Sequence, residues 1–185
     1  MNKILSVLLV LFISITIAAQ TRPINISKSK ITWVGKKVTG QHEGMIKFKE
    51  GALIFKNKKL TGGNFTADMT SLTNTDQGGK DKSKLEGHLR SGDFFDVENF
   101  GTSKLVFKSI TSKKPNSYTV NADLTIKGKT KPVTFDMFVK GRTAKAKVVI
   151  DRTKYGIQYG SGSFFDDLGD RTIYDEFELH VHLFF

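Results

Sequence analysis

Cysteine is absent from this 185-residue chain, proline occurs three times and tryptophan once. Without cysteine there is no disulfide framework, no thiolate zinc site, no thiol nucleophile and no residue for an N-terminal lipid anchor. Acidic side chains are also short. Eighteen Asp and Glu stand against 29 Lys and Arg, a formal net charge of +11. That balance suits an anionic partner and carries no information about fold. What is present is ordinary for a folded chain: 38% hydrophobic residues, with 15 Phe and 17 Gly. The length accommodates one good core, or one barrel around a cavity, and is cramped for two domains.

The N-terminus reads as a secretory signal over residues 1–19. Lys3 gives a positive start, Ile4 to Ile17 is an apolar run, and Ala18-Ala19 offers small residues for cleavage before Gln20. A membrane-spanning anchor is the competing reading, but the run falls short of the roughly 20 residues needed to cross a bilayer. The expected product is one domain, residues 20–185, in the periplasm or secreted. The lack of cysteine fits export, since no oxidation is needed for folding.

Beyond residue 20 the chain alternates with period two. Tyr118, Val120, Ala122, Leu124 and Ile126 share one face, and Thr119, Asn121, Asp123, Thr125 and Lys127 the other. After a turn at Gly128-Lys129, Val133, Phe135, Met137 and Val139 repeat the pattern. After Gly141-Arg142, Ala144, Ala146, Val148 and Ile150 do so again. The last strand carries Ile173, Asp175, Phe177, Leu179, Val181 and Leu183 on one side and Tyr174, Glu176, Glu178, His180 and His182 on the other. Earlier strands are expected at 31–37, 44–49, 52–56, 60–69 and 104–110. Residues 80–90 read as a short helix with a Ser83–Glu86 capping box and a stop at Gly92. Residues 153–171 read as a long loop. The expected fold is all-β: an up-and-down antiparallel barrel of about eight strands with one short helix, wide enough for one small ligand.

Catalytic signatures fail in turn. Gly128-Lys129-Thr130 looks like the end of a phosphate-binding loop, but the required earlier glycine is Asp123 and the segment joins two strands. Gly160-Ser161-Gly162 lacks the context of a nucleophile elbow. His180 and His182 share a polar strand face, which favours a solvated pair over a metal site. Asp166, Asp167 and Asp170 miss the calcium-loop spacing. His42 and His88 sit beside glycines as structural hydrogen-bonders. The lysines alternate along strands or occupy turns, which describes a solvated exterior and not a nucleic-acid surface. A binding protein with no catalytic or metal-ligating residues is the expectation.

Several segments, in order, resemble the YceI-like family of exported bacterial proteins. They are Trp33-Val34-Gly35 through His42-Glu43-Gly44, Leu60-Thr61-Gly62-Gly63-Asn64-Phe65, and Asp68-Met69-Thr70-Ser71-Leu72. Leu85-Glu86-Gly87-His88-Leu89 then leads into Ser91-Gly92-Asp93-Phe94-Phe95-Asp96-Val97, followed by Leu124 to Val133 and Ile150 to Ile157. The resemblance implies a lipocalin-like barrel holding a polyisoprenoid or similar amphipathic lipid for storage or transport, with no established catalysis; no other cofactor is expected, and transient contact with a membrane surface is a further expectation. Gly101 stands where the family usually carries proline, which implies a looser loop there. The strand pattern nominates Trp33, Phe135, Val148, Phe177 and Leu179 for the pocket wall, and Phe94, Phe95 and Phe100 for its mouth. The alternative is a small outer-membrane barrel, suggested by the alternating C-terminus ending in Phe185. It would need the apolar faces outside and most lysines in the lumen. Oligomeric state and the natural lipid are left open by the sequence.

Overall fold

The computed structural model describes residues 18–185, so the proposed signal segment lies almost wholly outside the described residues. Nine strands and one helix follow in the order β1 (Gln20–Pro23), β2 (Lys30–Lys37), β3 (Gly40–Lys56), β4 (Lys59–Asn74), α1 (Gly79–Arg90), β5 (Thr102–Lys114), β6 (Ser117–Ile126), β7 (Lys129–Lys140), β8 (Thr143–Asp151) and β9 (Ile173–Phe184). All neighbouring pairs are antiparallel. The sheet runs β3-β2-β9-β8-β7-β6-β5-β4 and closes through β3–β4, giving an eight-stranded barrel without open edges. β1 lies outside that ring. It pairs with the second half of β3, from Gln20 opposite Phe55 to Pro23 opposite Ala52.

The turns explain the tight meander. Asn57-Lys58 and Lys127-Gly128 both have positive φ at the two central positions, the conformation whose twist matches two antiparallel strands. Gly128 therefore occupies the second turn position, one residue earlier in the hairpin than the sequence suggests. β3 and β4 are the longest strands and the least regular. Their pairing shifts register between Met45 and Lys47, between Phe48 and Glu50, and between Ile54 and Phe55. Each shift is a bulge that changes which alternate residues face inward, and such bulges let long strands bend around a barrel. For this reason 44–49 and 52–56 form one bent strand and not two.

The apolar faces turn inward. Val120, Ala122, Leu124 and Ile126 are buried, as are Phe135, Met137, Val139, Val148 and Ile150. Lys145 and Lys147, on the alternate positions of β8, are exposed. An outer-membrane barrel requires the opposite arrangement, so that alternative is overturned by the side-chain directions.

One end of the barrel is covered by α1, the 91–101 segment and the 152–172 segment. The helix is capped differently from the expected box: Gly78 is the N-cap with no side-chain bond, and Ser91 is the C-cap. Ser83 Oγ donates to its own helix at the Gly79 carbonyl, 3.2 Å away. Glu86 is engaged across the fold, accepting from Thr73 Oγ1 at 2.6 Å and from the Asn74 amide at 2.8 Å. Those two bonds hold its carboxyl below the usual range. The chain thereby uses Glu86 to fasten α1 to the end of β4. Leu89 supplies the helix's buried apolar contact.

Candidate ligand-binding cavity

Inward residues of eight strands enclose an apolar cavity of about 100 Å³. Its wall takes Ile31 from β2, Ile46 and Phe48 from β3, Phe65, Ala67 and Met69 from β4, and Leu105 from β5. Leu124 and Ile126, then Phe135 and Met137, then Ala146, Val148 and Ile150 continue it around β6, β7 and β8. Phe177, Leu179, Val181 and Leu183 of β9 complete the ring. Ser103 and Lys104, at the start of β5, are the only polar residues among those lining the cavity. Several inward side chains, including Leu105, Ala146, Phe177, Leu179 and Val181, pack against the core yet are only partly buried. Being inward, they owe their remaining accessible surface to the cavity. Such a wall offers a ligand apolar contact almost throughout, with polar groups confined to Ser103 and Lys104.

The structure brings together five of the eight nominated residues: Phe95, Phe135, Val148, Phe177 and Leu179. It places three elsewhere. Trp33 lies over Gly44, its partner in register, and donates from Nε1 to the Thr73 carbonyl at 3.2 Å. Phe94 stands between the His88 ring, 5.7 Å away, and the Arg152 guanidinium, 5.7 Å from its centroid. Phe100 packs on the β6–β7 turn, where a β-carbon on Gly128 would meet its ring at 2.8 Å. Sequence reasoning passed over Phe48, Phe65, Met69, Met137 and Val181. Met137 and Val181 carry the same alternation as their nominated neighbours. Phe65 and Met69 alternate in the same way with Ala67 between them on β4.

The covered end is built around Arg152, which is 2% exposed. Its guanidinium donates to the carbonyls of Ile157 at 3.0 Å, Tyr159 at 2.8 Å, Ile173 at 2.9 Å and Tyr174 at 3.1 Å. One side chain thus satisfies four backbone acceptors and ties the 153–172 segment to the start of β9. Burial lowers its pKa, while Asp175 at 3.5 Å and nearby Asp151 favour its charge. The same segment contains 3-10 turns at Arg152–Tyr155 and Gly169–Arg171, so it is more ordered than a plain loop. The 91–101 segment is tied down as well: the Met69 amide donates to the Gly101 carbonyl at 3.0 Å, so glycine in place of proline leaves this loop fastened.

Two of the four histidines face carboxylates, whereas His88, expected to be a structural hydrogen-bonder, has a buried Nε2 without a hydrogen-bond partner. His42 Nδ1 meets Asp76 Oδ2 at 2.8 Å and His180 Nε2 meets Glu178 Oε2 at 3.1 Å. His88 stacks on Tyr159 with centroids 4.3 Å apart. Among the described residues, no three His, Asp or Glu side chains are grouped to hold a metal ion.

Comparison with known proteins agrees with this architecture. The YceI-like domain family model matches residues 23–185. A UPF0312 protein of Staphylococcus aureus strain USA300 is 35% identical over 85 residues, 40% of this chain and 47% of that protein. The chain thus spans about half the length of the curated relatives it matches. Among solved structures, BcnA of Burkholderia cenocepacia aligns with a TM-score of 0.69 and 25% identity, over 86% of this chain and 98% of that one. A polyisoprenoid binding domain from Saccharophagus degradans aligns with a TM-score of 0.59 and 11% identity, over 91% and 98% respectively. The latter is a likeness of fold alone.

Proposed function

The chain belongs to the YceI-like family, and we propose that it is an exported carrier that holds a polyisoprenoid or similar amphipathic lipid lengthwise in its barrel, without altering it. The observation that carries this reading is the continuous apolar wall, interrupted only by Ser103 and Lys104. The fold shared with a polyisoprenoid binding domain supports the same ligand class.

The energetics are adequate. Burying a methylene is worth about 0.8 kcal/mol, so a five-carbon isoprene unit gains roughly 4 kcal/mol before ordering costs. A few units suffice for tight binding, and longer chains gain less, because non-covalent affinity saturates near −18 to −21 kcal/mol. A non-catalytic role is supported by a wall in which Phe135, Val148 and Leu179 can hold a chain but cannot polarise or deprotonate it.

Export is read from Lys3 to Ala19, with the mature chain starting at Gln20 in the periplasm or outside the cell. Mass spectrometry of the protein purified from its own cells tests both parts. The intact mass should correspond to a chain beginning at Gln20, and an organic extract should contain an unmodified prenyl or other long-chain lipid. An extract with no lipid, or one with chemically altered prenyl chains, contradicts the carrier reading.

A further inference from the structure

We propose that the outer face of β7, β8, β9 and β2 docks this protein onto an anionic phospholipid bilayer. One row of the sheet crosses all four strands there: Phe138 stands opposite Lys145, Lys145 opposite His182, and His182 opposite Lys30. The next row toward the barrel end sets Lys140 opposite Thr143, and Thr143 opposite Phe184. Because Val139, Ala144 and Leu183 are buried inward, these alternate residues face outward. Strands lie about 4.8 Å apart, so the basic groups of one row fall within a single Debye length and act together.

Lys113 pairs with Asp136 at 3.0 Å, Lys108 with Asp123 at 3.5 Å, and Lys36 and Lys147 with Glu178 at 3.1 and 3.0 Å. Asp136 and Glu178, the nearest outward carboxylates along β7 and β9, are therefore already engaged. Among the described residues, Lys30, Lys140 and Lys145 have no such partner. Burial and the charges of Lys145 and Lys30 together push the His182 pKa down, with no carboxylate opposing them. The face thus carries unbalanced positive charge.

Aromatic groups favour a bilayer over a soluble polyanion. Phe138 is 47% exposed at one end of the row, and the Phe184 ring lies 4.6 Å from that of His182. Apolar rings among basic groups suit the boundary between headgroups and acyl chains. The face lies outside the barrel wall, so docking stands or falls separately from what the cavity holds.

The test is sedimentation of the purified protein with vesicles of phosphatidylcholine alone or of an equimolar mixture with phosphatidylglycerol. Binding is expected only to the mixed vesicles, and should weaken as salt is added. Lys30→Glu with Lys145→Glu should reduce binding at least about tenfold, given what each lysine contributes near such a surface. Lys80→Glu with Lys84→Glu, the same charge change on exposed α1 at the other end, should leave it unchanged. Lys30→Gln with Lys140→Gln gives a milder second variant, and thermal melts confirm that each remains folded. Prenyl-lipid binding in detergent should be the same for all variants, which separates a failure of docking from a failure of the carrier reading. Equal loss with both Glu pairs, no loss with either, equal binding to neutral vesicles, or preferential capture by single-stranded DNA overturns the proposal.

Discussion

The indole of Trp33 lies so close over Gly44 that a β-carbon there would sit 2.6 Å from the ring and 1.9 Å from the Thr73 carbonyl. Only glycine permits this approach, and the indole hydrogen bond to the same carbonyl fixes the ring. Gly44→Ala must therefore move backbone as well as side chain. The expected cost is at least about 1–3 kcal/mol, the usual range for overpacking. Chemical denaturation measures it, and a change within error would mean that this contact is looser than described.

Inward and outward positions should respond oppositely to charge. Phe135 is 6% exposed and its ring meets Phe107 at 5.9 Å. Phe135→Asp buries a carboxylate with no partner and should unfold the domain or lower its stability by more than about 4 kcal/mol. Lys145→Glu, on the exterior, should leave the melting temperature almost unchanged. Equal tolerance of the two substitutions in thermal melts would reverse the assignment of faces.

Filling the cavity should separate folding from binding. Ala146 faces the cavity from β8 and remains partly accessible. Ala146→Phe is expected to keep or raise stability, because it occupies empty apolar space. It should weaken lipid binding at least about tenfold, the equivalent of losing roughly two buried methylenes. A titration with a prenyl alcohol checks this, and undiminished affinity would place the ligand elsewhere.

Arg152 should be irreplaceable by a point charge. Arg152→Lys cannot reproduce four donations to the carbonyls of Ile157, Tyr159, Ile173 and Tyr174. A loss of about 3–5 kcal/mol is expected, the range for breaking a buried charged network. Hydrogen exchange should show the 157–173 segment opening first. Uniform protection in the variant would argue against Arg152 as its fastening.

Acid should weaken the domain through Glu178. Hydrogen bonds from Lys147 and Lys36, aided by His180 and opposed by burial, hold its pKa down to about 2 from an ordinary 4.5. A lowered folded-state value gives stabilisation that is complete above the unfolded value and is lost as pH falls toward the folded one. The difference in melting temperature between the wild type and Glu178→Gln should therefore be constant above about pH 5.5 and shrink from there toward about pH 2. A difference independent of pH would show that the carboxylate charge is not the source.

Much of this architecture was legible in period-two alternation. On β6, β7 and β8 the sequence pattern and the inward face coincide residue for residue, and half of the cavity wall comes from these strands and β9. Legibility fails where chain geometry is set from a distance. β1 is a four-residue segment ending in proline, with no alternation of its own; it exists because β3 offers it an edge. The bulges shift the inward set, from Ile46 and Phe48 to Leu53 and Phe55 on β3 and from Met69 to Leu72 on β4. Trp33 and Phe94 look like pocket residues because they are large and apolar. They are drawn aside by polar partners far along the chain: the Thr73 carbonyl for one and Arg152 for the other. Glu86 likewise satisfies a local capping pattern yet finds stronger donors on β4.

The central claim is that an apolar chain is buried lengthwise in the barrel, and thermal shift with prenyl alcohols of increasing length tests it most directly. A ligand binding only the folded state stabilises it by about 2.7 kcal/mol at a hundredfold excess over Kd. Stabilisation at fixed concentration should therefore rise with each added isoprene unit until the cavity is filled, and should persist in high salt, which does not screen apolar burial. A melting temperature unmoved by any chain length would contradict the account.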